Sequence, residues 1–303
     1  MDLLIKISIL FLAFLVGESV TQMAFFESDI DHPDYKLIFC EDDTCLDAYI
    51  EFFAVAKGCL FYDLSHPKVK EAINHLDIEY FTDIKGGGLM HHKFCYSKNK
   101  VLTGSANPTT GDLLKNRNHL LLIDSFDIAR KFEKEFDRVK ARKLKINSTI
   151  EDSYFEPLLL ENLSLYFCNI HDCTSSLVSI IDNSNESIEF LTFTFTDFEV
   201  AKALIRADQR GVNVTGITDT FQSRRFWQKD FLARNNVNVT VHGASKLQHN
   251  KVFMVDKDIL ATGSFNPTKA ANSINDEAFM IIRNSSLVQS FHEEFLKILN
   301  ESR

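Results

Sequence analysis

Short apolar runs alternate with amphipathic segments along most of the chain. In the later part of the chain, apolar runs predict strands at 187–196, 213–218, 237–241, 252–255 and 259–261. After the first of these runs, Asp197 precedes apolar residues at helical spacing, which predicts a helix that Asp197 caps. In the earlier part, predicted strands at 59–64 and 78–81 flank a predicted helix at 67–76. Strands that alternate with helices predict an α/β fold of mixed sheets flanked by helices.

The same residues recur at a nearly constant spacing. TGSANPT at 103–109 recurs as TGSFNPT at 262–268, and HHKF at 91–94 recurs as HNKV at 249–252. The offsets are 159 and 158 positions. A repeat that carries both apolar and polar positions at one offset indicates the duplication of a whole structural unit. We therefore interpret the chain as a tandem duplication.

The two copies differ in length. Cys40 and Cys168 follow similar apolar runs, but they are only 128 positions apart. From the second cysteine of each pair to the motif histidine there are 46 positions in the first copy and 76 in the second. This difference predicts that the first copy, assigned to 21–150, lacks one strand and one helix of the second copy at 151–303.

The chain begins with an apolar run typical of a secretory signal. Residues 7–16, ISILFLAFLV, follow Lys6 and precede the small residues Gly17 and Ser19. The run is too short to span a bilayer comfortably. We therefore expect a signal peptide at 1–20 and a secreted or otherwise extracytoplasmic protein.

Acceptor sequences for N-linked glycans fit that location. Seven Asn-x-Ser/Thr sequons are present, whereas about three are expected by chance from the residue frequencies. They begin at Asn147, Asn162, Asn185, Asn213, Asn238, Asn284 and Asn300. Asn107 and Asn266 are each followed by Pro, which excludes them as acceptors.

The composition is that of a folded globular protein, with 45% hydrophobic and 25% charged residues. The 27 phenylalanines supply ample material for a core. The net charge of -9 disfavours a protein that coats nucleic acid through bulk electrostatics, because phosphate binding requires a basic surface. A locally basic cleft remains compatible with this charge.

The six cysteines form two matching pairs and two single residues. The pairs Cys40–Cys45 and Cys168–Cys173 each have a four-residue spacer, and in an oxidising compartment we expect each to form a local disulfide. A zinc site that includes the nearby His171 is the alternative. Cys59 and Cys95 lie in apolar runs and are either buried thiols or a third bridge.

The stretch from Gln248 to Thr268 concentrates polar groups around two short predicted strands. Its pattern is His249-x-Lys251, Asp256 seven positions after the histidine, and then Gly-Ser264-x-Asn266. Short buried strands hold such side chains rigidly at the end of a sheet. The stretch is therefore a candidate functional site.

The first copy supplies a second set of the same groups in His91, Lys93, Ser105 and Asn107. The alternative register through His92 has no lysine two positions later. Two imidazoles suit nucleophilic attack by one and proton donation to a leaving group by the other. Two ammonium groups and two amides suit an anion with several oxygens, such as a phosphodiester.

The duplicated motif, His-x-Lys with Asp at +7 followed by Gly-Ser-x-Asn, resembles the phospholipase D superfamily. The resemblance implies two tandem phospholipase-D-like repeats packed with pseudo-two-fold symmetry. It implies phosphodiester cleavage through a phosphohistidine, without a metal or cofactor, in one site that a monomer completes. It assigns nucleophile and general acid to His91 and His249, and phosphate binding to Lys93, Lys251, Ser105, Asn107, Ser264 and Asn266. Glu277 matches the carboxylate that orients the motif imidazole, and Asp256 and Asn118 would give structural support.

The first copy departs from this pattern. Lys98 stands where the second copy has Asp, and Asn118 stands where the second copy has Glu277. We therefore expect His91 to lack a carboxylate partner, and His249, backed by Glu277, to be the stronger nucleophile. The family often places the nucleophile in the first copy, so the assignment stays open.

The substrate follows less directly from the residues. The acidic balance and the expected location favour a phospholipid head group and peripheral contact with a membrane. The absence of a large lipid-binding insertion is compatible with an extracytoplasmic nuclease that acts on DNA or RNA. The eroded first motif is compatible with a catalytically impaired member that acts as a binding protein.

Overall fold

Two mixed sheets, one from each sequence repeat, form the framework of the protein. The computed structural model describes residues 32–83, 88–146, 156–223, 228–243 and 246–302. The predicted signal peptide at 1–20 and the predicted join at residue 150 lie outside these residues. None of the helices in the described ranges is long and apolar enough to cross a membrane.

The first half contains a six-stranded sheet in the order β1-β6-β5-β4-β2-β3, in which only β2 and β3 are parallel. Its strands are β1 (Asp34–Phe39), β2 (Gly58–Phe61), β3 (Glu79–Thr82), β4 (Lys93–Tyr96), β5 (Lys100–Gly104) and β6 (His119–Asp124). Its helices are α1 (Thr44–Phe53), α2 (Pro67–His75), α3 (Thr110–Leu114) and α4 (Phe126–Leu144).

The second half contains an eight-stranded sheet in the order β11-β10-β9-β12-β13-β14-β8-β7, in which β9, β10 and β11 are parallel. Its strands are β7 (Leu158–Leu160), β8 (Leu163–Phe167), β9 (Ser187–Thr192), β10 (Asn213–Asp219), β11 (Asn238–His242), β12 (Val252–Val255), β13 (Ile259–Gly263) and β14 (Ala278–Arg283). Its helices are α5 (Cys173–Asp182), α6 (Phe198–Gln209), α7 (Thr220–Ser223), α8 (Gln228–Arg234), α9 (Lys269–Ser273) and α10 (Ser285–Glu301).

This architecture confirms the expected pair of mixed α/β halves. Strand β11 and the helices before it have no counterpart between β3 and β4, so the predicted missing strand and helix are confirmed. Asp197 caps α6 as predicted, because its carboxylate accepts hydrogen bonds from the amides of Glu199 and Val200. Strand β7 was not predicted, because its three leucines lie too close to β8 to form a separate pattern.

The largest core lies between the inner faces of the two sheets. Helices α4 and α10 place buried phenylalanines there four positions apart, at Phe132, Phe136, Phe291 and Phe295. The rings of Phe132 and Phe167 meet across the boundary between the halves, with centroids 5.5 Å apart. Burial of each such ring contributes about 1.5–3 kcal/mol. The shared core therefore holds the two motif-bearing sheets together.

Ion pairs join the halves at two equivalent positions, and the buried residue is a cation at one position and an anion at the other. The buried guanidinium of Arg117 pairs with Glu301 of the other half. The buried carboxylate of Asp276, which occupies the position 159 residues later, pairs with Arg138 at 2.5 Å and with Arg142. Glu301 likewise lies 159 residues after Arg142. If two copies of the first half paired with each other, Arg117 of one copy would lie beside Arg142 of the other. The charges therefore favour pairing of a first half with a second half.

All six cysteines form disulfides. The predicted bridges Cys40–Cys45 and Cys168–Cys173 each join the end of a strand to the start of a helix. The third bridge, Cys59–Cys95, links β2 to β4, so these two cysteines are not free thiols. The zinc alternative is wrong, because both sulfurs of the second pair are bonded to each other and His171 accepts a hydrogen bond from the amide of Phe167.

Candidate active site

The two motifs meet at the interface of the halves. The His91 amide donates to the Asp276 carbonyl at 3.0 Å, and the His249 amide donates to the Arg117 carbonyl at 2.9 Å. These matching contacts place the segment before each motif histidine against the opposite half. The polar motif side chains are buried there, with His91 and His249 each 8% exposed.

A sharp turn follows the second strand of each motif. Gly104 and Gly263 have φ values of 149° and 145°, and a Cβ atom on either would lie within 2.4 Å of a backbone oxygen. The next residues, Ser105 and Ser264, donate their amides back to β6 and β14 at 3.0 Å. Only glycine therefore allows the serine hydroxyls to reach the site.

Glu277 supports His91, the histidine of the opposite half. Its carboxylate lies 2.8 Å from His91 Nδ1 and accepts a hydrogen bond from the Ser264 hydroxyl at 2.6 Å. The expectation that Glu277 supports His249 and that His91 lacks a carboxylate is therefore wrong. The reason is the backbone contact of the neighbouring Asp276, which pairs with Leu89 and His91 and brings Glu277 across the interface.

His249 is supported by the first half. Its Nδ1 lies 2.9 Å from Asn118 Oδ1 and 3.6 Å from a carboxylate oxygen of Asp112. Asn118 Oδ1 also accepts a hydrogen bond from the Ser105 hydroxyl at 2.8 Å. Because an amide oxygen only accepts, Nδ1 of His249 carries the proton. Asn118 thus has the structural role expected of it, but for the histidine of the other half.

Asp112 was not identified from the sequence. It lies in α3, and the equivalent position of the second half is Ala271, so the repeat gave no signal. Although burial raises the pKa of this carboxyl, the nearby His249 and hydrogen bonds from Asn116 and Asn107 hold it well below its usual range. A permanent negative charge therefore lies close to His249.

The two motif lysines are buried cations. Lys93 Nζ donates to the carbonyl of His91 at 2.7 Å, and Lys251 Nζ donates to the carbonyl of His249 at 2.6 Å. Burial lowers the pKa of Lys93 to about 8. Burial and then repulsion by Lys93 lower the pKa of Lys251 well below its ordinary value. An anion bound between the two ammonium groups would relieve both penalties.

Burial also sets the protonation of the acid–base groups. It lowers the pKa of His91 and of His249 well below the usual value, and the nearby lysines lower both further. Burial raises the pKa of Glu277 to about 7, against the opposing effect of Lys93. With Nδ1 of each imidazole donating to its acceptor, each Nε2 retains a lone pair for chemistry.

Two aromatic rings flank the histidines at equivalent positions. Tyr62, directly after β2, lies with its ring centroid 4.9 Å from that of His91. Phe193, directly after β9, lies 4.6 Å from His249. Lys93 and Lys251 lie 5.4 and 5.5 Å from these two rings. The sequence did not reveal either ring, since single aromatic residues after a strand carry no motif.

The motif asparagines bind their own loops. Asn107 Nδ2 donates to Asp112 at 2.7 Å, and Asn266 Oδ1 accepts from the Thr194 amide at 3.3 Å. These contacts fix the segments that carry Asp112 and Phe193. Their direct role toward phosphate stays a prediction.

Two other motif residues point away from the site. Asp256 accepts hydrogen bonds from the amides of Asn185 and Glu186, both at 2.8 Å, and anchors the turn between β12 and β13. It therefore gives structural support at the far edge of the sheet. His92 is fully buried, and its Nε2 lies 2.6 Å from Glu135. The structure thus places His91, and not His92, in the site.

Residues 60–140 and 177–299 match the family model described as "Cardiolipin synthase, PLD-like domain". The chain is 32% identical over 140 residues to a phospholipase D of Rickettsia felis, a stretch that covers 46% of this chain and 70% of that protein. It is 30% identical over 138 residues to the mitochondrial cardiolipin hydrolase of Mus musculus, covering 44% and 62% of the two chains. The crystal structure of phosphatidylserine synthase from Haemophilus influenzae shares the fold, with a TM-score of 0.66 at 11% identity over 88% of this chain and 86% of that one.

Proposed function

The chain belongs to the phospholipase D superfamily, and from that premise we propose that it hydrolyses phosphodiesters, with a phospholipid as substrate, at the site between its two halves. One observation carries the proposal: each motif imidazole is held at Nδ1 by an acceptor of the opposite half, beside two buried ammonium groups. Both imidazoles and both lysines are present, so the departures of the first motif remove no group that would touch phosphate.

His91 is the nucleophile in this proposal. Its direct partner is the carboxylate of Glu277, whereas the direct partner of His249 is the neutral amide of Asn118. A carboxylate behind an imidazole stabilises the positive charge that the ring gains when Nε2 attacks phosphorus. The sequence argument favoured the carboxylate-supported histidine as nucleophile and left the assignment open; applied to these contacts, it selects His91.

The reaction takes two steps. His91 Nε2 forms a bond to phosphorus while the bond from phosphorus to the leaving oxygen breaks, and His249 donates its Nε2 proton to that oxygen. His249 then takes a proton from a water molecule, whose oxygen attacks phosphorus while the bond to His91 breaks. The products are an alcohol and a phosphomonoester, and both histidines return to their starting states.

His249 must carry an extra proton when the first step occurs. In the free protein, burial lowers its pKa. A bound phosphodiester anion, together with the Asp112 carboxylate at 3.6 Å, favours the charged imidazolium. Substrate binding therefore prepares the general acid.

Lys93 and Lys251 bind the non-bridging oxygens and balance the charge of the transition state. These ammonium groups supply the positive charge that the reaction needs, so the proposal includes no metal ion. The names of the relatives, phospholipase D and cardiolipin hydrolase, support a phospholipid substrate. We further propose that the protein acts outside the cytoplasm, as a monomer in peripheral contact with a membrane.

The test offers the protein, with a chelator present, phospholipid vesicles, single-stranded DNA and a chromogenic phosphodiester in parallel. We expect release of the lipid head group and loss of turnover in both His91→Asn and His249→Asn. His75→Asn, at an exposed helix end, is the matched control and should keep full activity. Cleavage of DNA alone would replace the lipid with a nucleic-acid substrate. Cleavage of none would support the binding-protein alternative, and inhibition by the chelator would contradict the metal-free mechanism.

A further inference from the structure

The sequons of this chain are unevenly distributed over the fold. The first sheet and its helices, residues 34–144, contain none, although that stretch has five asparagines. In the second half, four exposed sequon asparagines lie in loops or at the first residue of a strand: Asn162, Asn185, Asn213 and Asn238. Asn284 is half-buried and caps α10 through Oδ1, and Asn300, although exposed, lies in the last turn of that helix, so neither is part of the proposal. Asn147 lies outside the described residues and is not part of it either.

These four asparagines lie along one edge of the eight-stranded sheet. Asn213 and Asn238 are the first residues of the parallel strands β10 and β11, and Asn185 lies two residues before β9. Asn162 directly precedes β8, at the end where β8 pairs with the end of β14. The amino ends of β8, β9, β10 and β11 therefore share this edge.

The candidate active site lies at the opposite edge. Phe193 directly follows β9, Asp219 ends β10 and accepts the amide of Gln248, and Glu277 directly precedes β14. At this edge the acceptor sequence is blocked. Asn107 and Asn266 each have Thr two positions later, but Pro stands between. Among the strand ends and the motif loops, acceptors are thus present at one edge and excluded at the other.

We propose that Asn162, Asn185, Asn213 and Asn238 carry N-linked glycans, which cover the far edge of the second half and leave the first sheet and its helices bare. The donor is an oligosaccharide linked to a lipid pyrophosphate. The side-chain nitrogen forms a bond to the first sugar carbon, the bond from that carbon to pyrophosphate oxygen breaks, and the amide loses one proton to solvent.

This arrangement has two physical consequences. Glycans at the far edge leave the catalytic edge free to approach a surface that presents substrate. Strand β11, which begins at Asn238, is the outer strand of its sheet and offers unpaired backbone groups to other chains. A glycan on Asn238 hinders such strand pairing, so its removal should increase aggregation.

The experiment uses the full chain expressed in a eukaryotic cell that secretes proteins. Glycosidase digestion in heavy-oxygen water converts each glycosylated asparagine to a labelled aspartate, which peptide mass spectrometry locates. We expect label at all four positions, and one lost step of gel mobility for each Asn→Gln variant. Asn183→Gln is the matched control, because Asn183 is exposed, two residues from Asn185, and not in a sequon.

The fourfold variant should lose these glycans and keep the kcat/KM of the parent toward a soluble phosphodiester. A chain that glycosidase leaves unchanged, or label confined to Asn147, Asn284 and Asn300, would overturn the proposal. A large loss of kcat/KM in the fourfold variant, with its thermal unfolding unchanged, would contradict the separation of the glycosylated and catalytic edges. The glycan readout does not depend on the substrate, so it stands or fails separately from the proposed activity.

Discussion

Replacement of Glu277 by Gln tests the crossed support of the two histidines. The variant keeps the shape of the side chain and an oxygen that can accept from His91 Nδ1. It removes the negative charge that stabilises the imidazolium form of His91. The change is confined to a buried group, since Glu277 is fully inaccessible to solvent.

The magnitude follows from the distance between the carboxylate and the imidazole. The oxygen lies 2.8 Å from Nδ1, which places the charge of the ring about 4 Å away, where a unit pair interacts by about 4 kcal/mol at an effective dielectric constant of about 20. The neutral hydrogen bond that Gln retains contributes about 1 kcal/mol. The remaining loss of about 3 kcal/mol lowers kcat by about 150-fold.

The pH dependence gives a second readout. The reaction needs Glu277 as a carboxylate, and burial raises its pKa to about 7, so kcat/KM falls as the pH drops below that value. Phosphate binding needs Lys93 protonated, and burial lowers its pKa to about 8, so kcat/KM also falls above that value. We therefore expect a narrow bell-shaped profile for the parent and no acid limb near pH 7 for Glu277→Gln.

Glu294 provides a matched control. It is also a buried glutamate, and burial raises its pKa to about 7, against the opposing effect of Arg117. It lies 3.7 Å from Arg117 and is not hydrogen-bonded to either motif imidazole. Glu294→Gln should keep the acid limb. A kcat of Glu277→Gln within about threefold of the parent would contradict the support of His91 by the Glu277 carboxylate. Loss of the acid limb in Glu294→Gln and not in Glu277→Gln would contradict it as well.

Three further changes test the site and the fold. Lys93→Met removes a buried cation whose pKa burial lowers from 10.5 to about 8. The variant should lose activity, and its free energy of unfolding at pH 7 should rise by up to about 3 kcal/mol. The parent alone should gain stability between pH 8 and 10.5, and a destabilised variant would contradict this expectation. Phe193→Ala should lower kcat/KM about tenfold, because it removes the ring beside His249. Tyr62→Phe keeps its ring and should change kcat/KM less than about threefold. Equal effects of the two variants would show that the ring contacts do not contribute to activity. The double variant of Cys59 and Cys95 to Ala should lose about 4 kcal/mol in urea unfolding, since the bridge spans 36 positions, and an unchanged midpoint would refute that estimate.

The sequence predicted the two halves because the duplication preserved both apolar and polar positions. The offset of 159 identified Glu277 and Asn118 as equivalent residues. It could not show that each faces the histidine of the opposite half, because equivalence along a chain carries no information about which copy an interface residue contacts. That information came from the backbone pairing of Arg117 and Asp276 with the segments before the motif histidines.

Other residues of the site could not be predicted from the sequence, for different reasons. Asp112 has an alanine at the equivalent position, so comparison of the copies could not mark it. Tyr62 and Phe193 each follow the equivalent strands β2 and β9. These strands are not separated by the motif offset of 159, because the first half lacks a strand and a helix, so the repeat did not align the two rings. The sequence predicted a supporting role for the motif residue Asp256, but only the sheet register shows that it anchors a turn at the far edge of the sheet.

The most direct test of the account is to locate the covalent intermediate. The protein is quenched in alkali during turnover of a phosphodiester, which preserves phosphohistidine, and the modified peptide is identified by mass spectrometry. We expect the phosphoryl group on the peptide that contains His91. The amount should increase in His249→Asn when the substrate is the chromogenic phosphodiester, because its leaving group needs no proton in the first step while the second step lacks its base. A phosphoryl group on His249, or no phosphohistidine in an actively turning-over sample, would contradict the assignment of His91 as nucleophile.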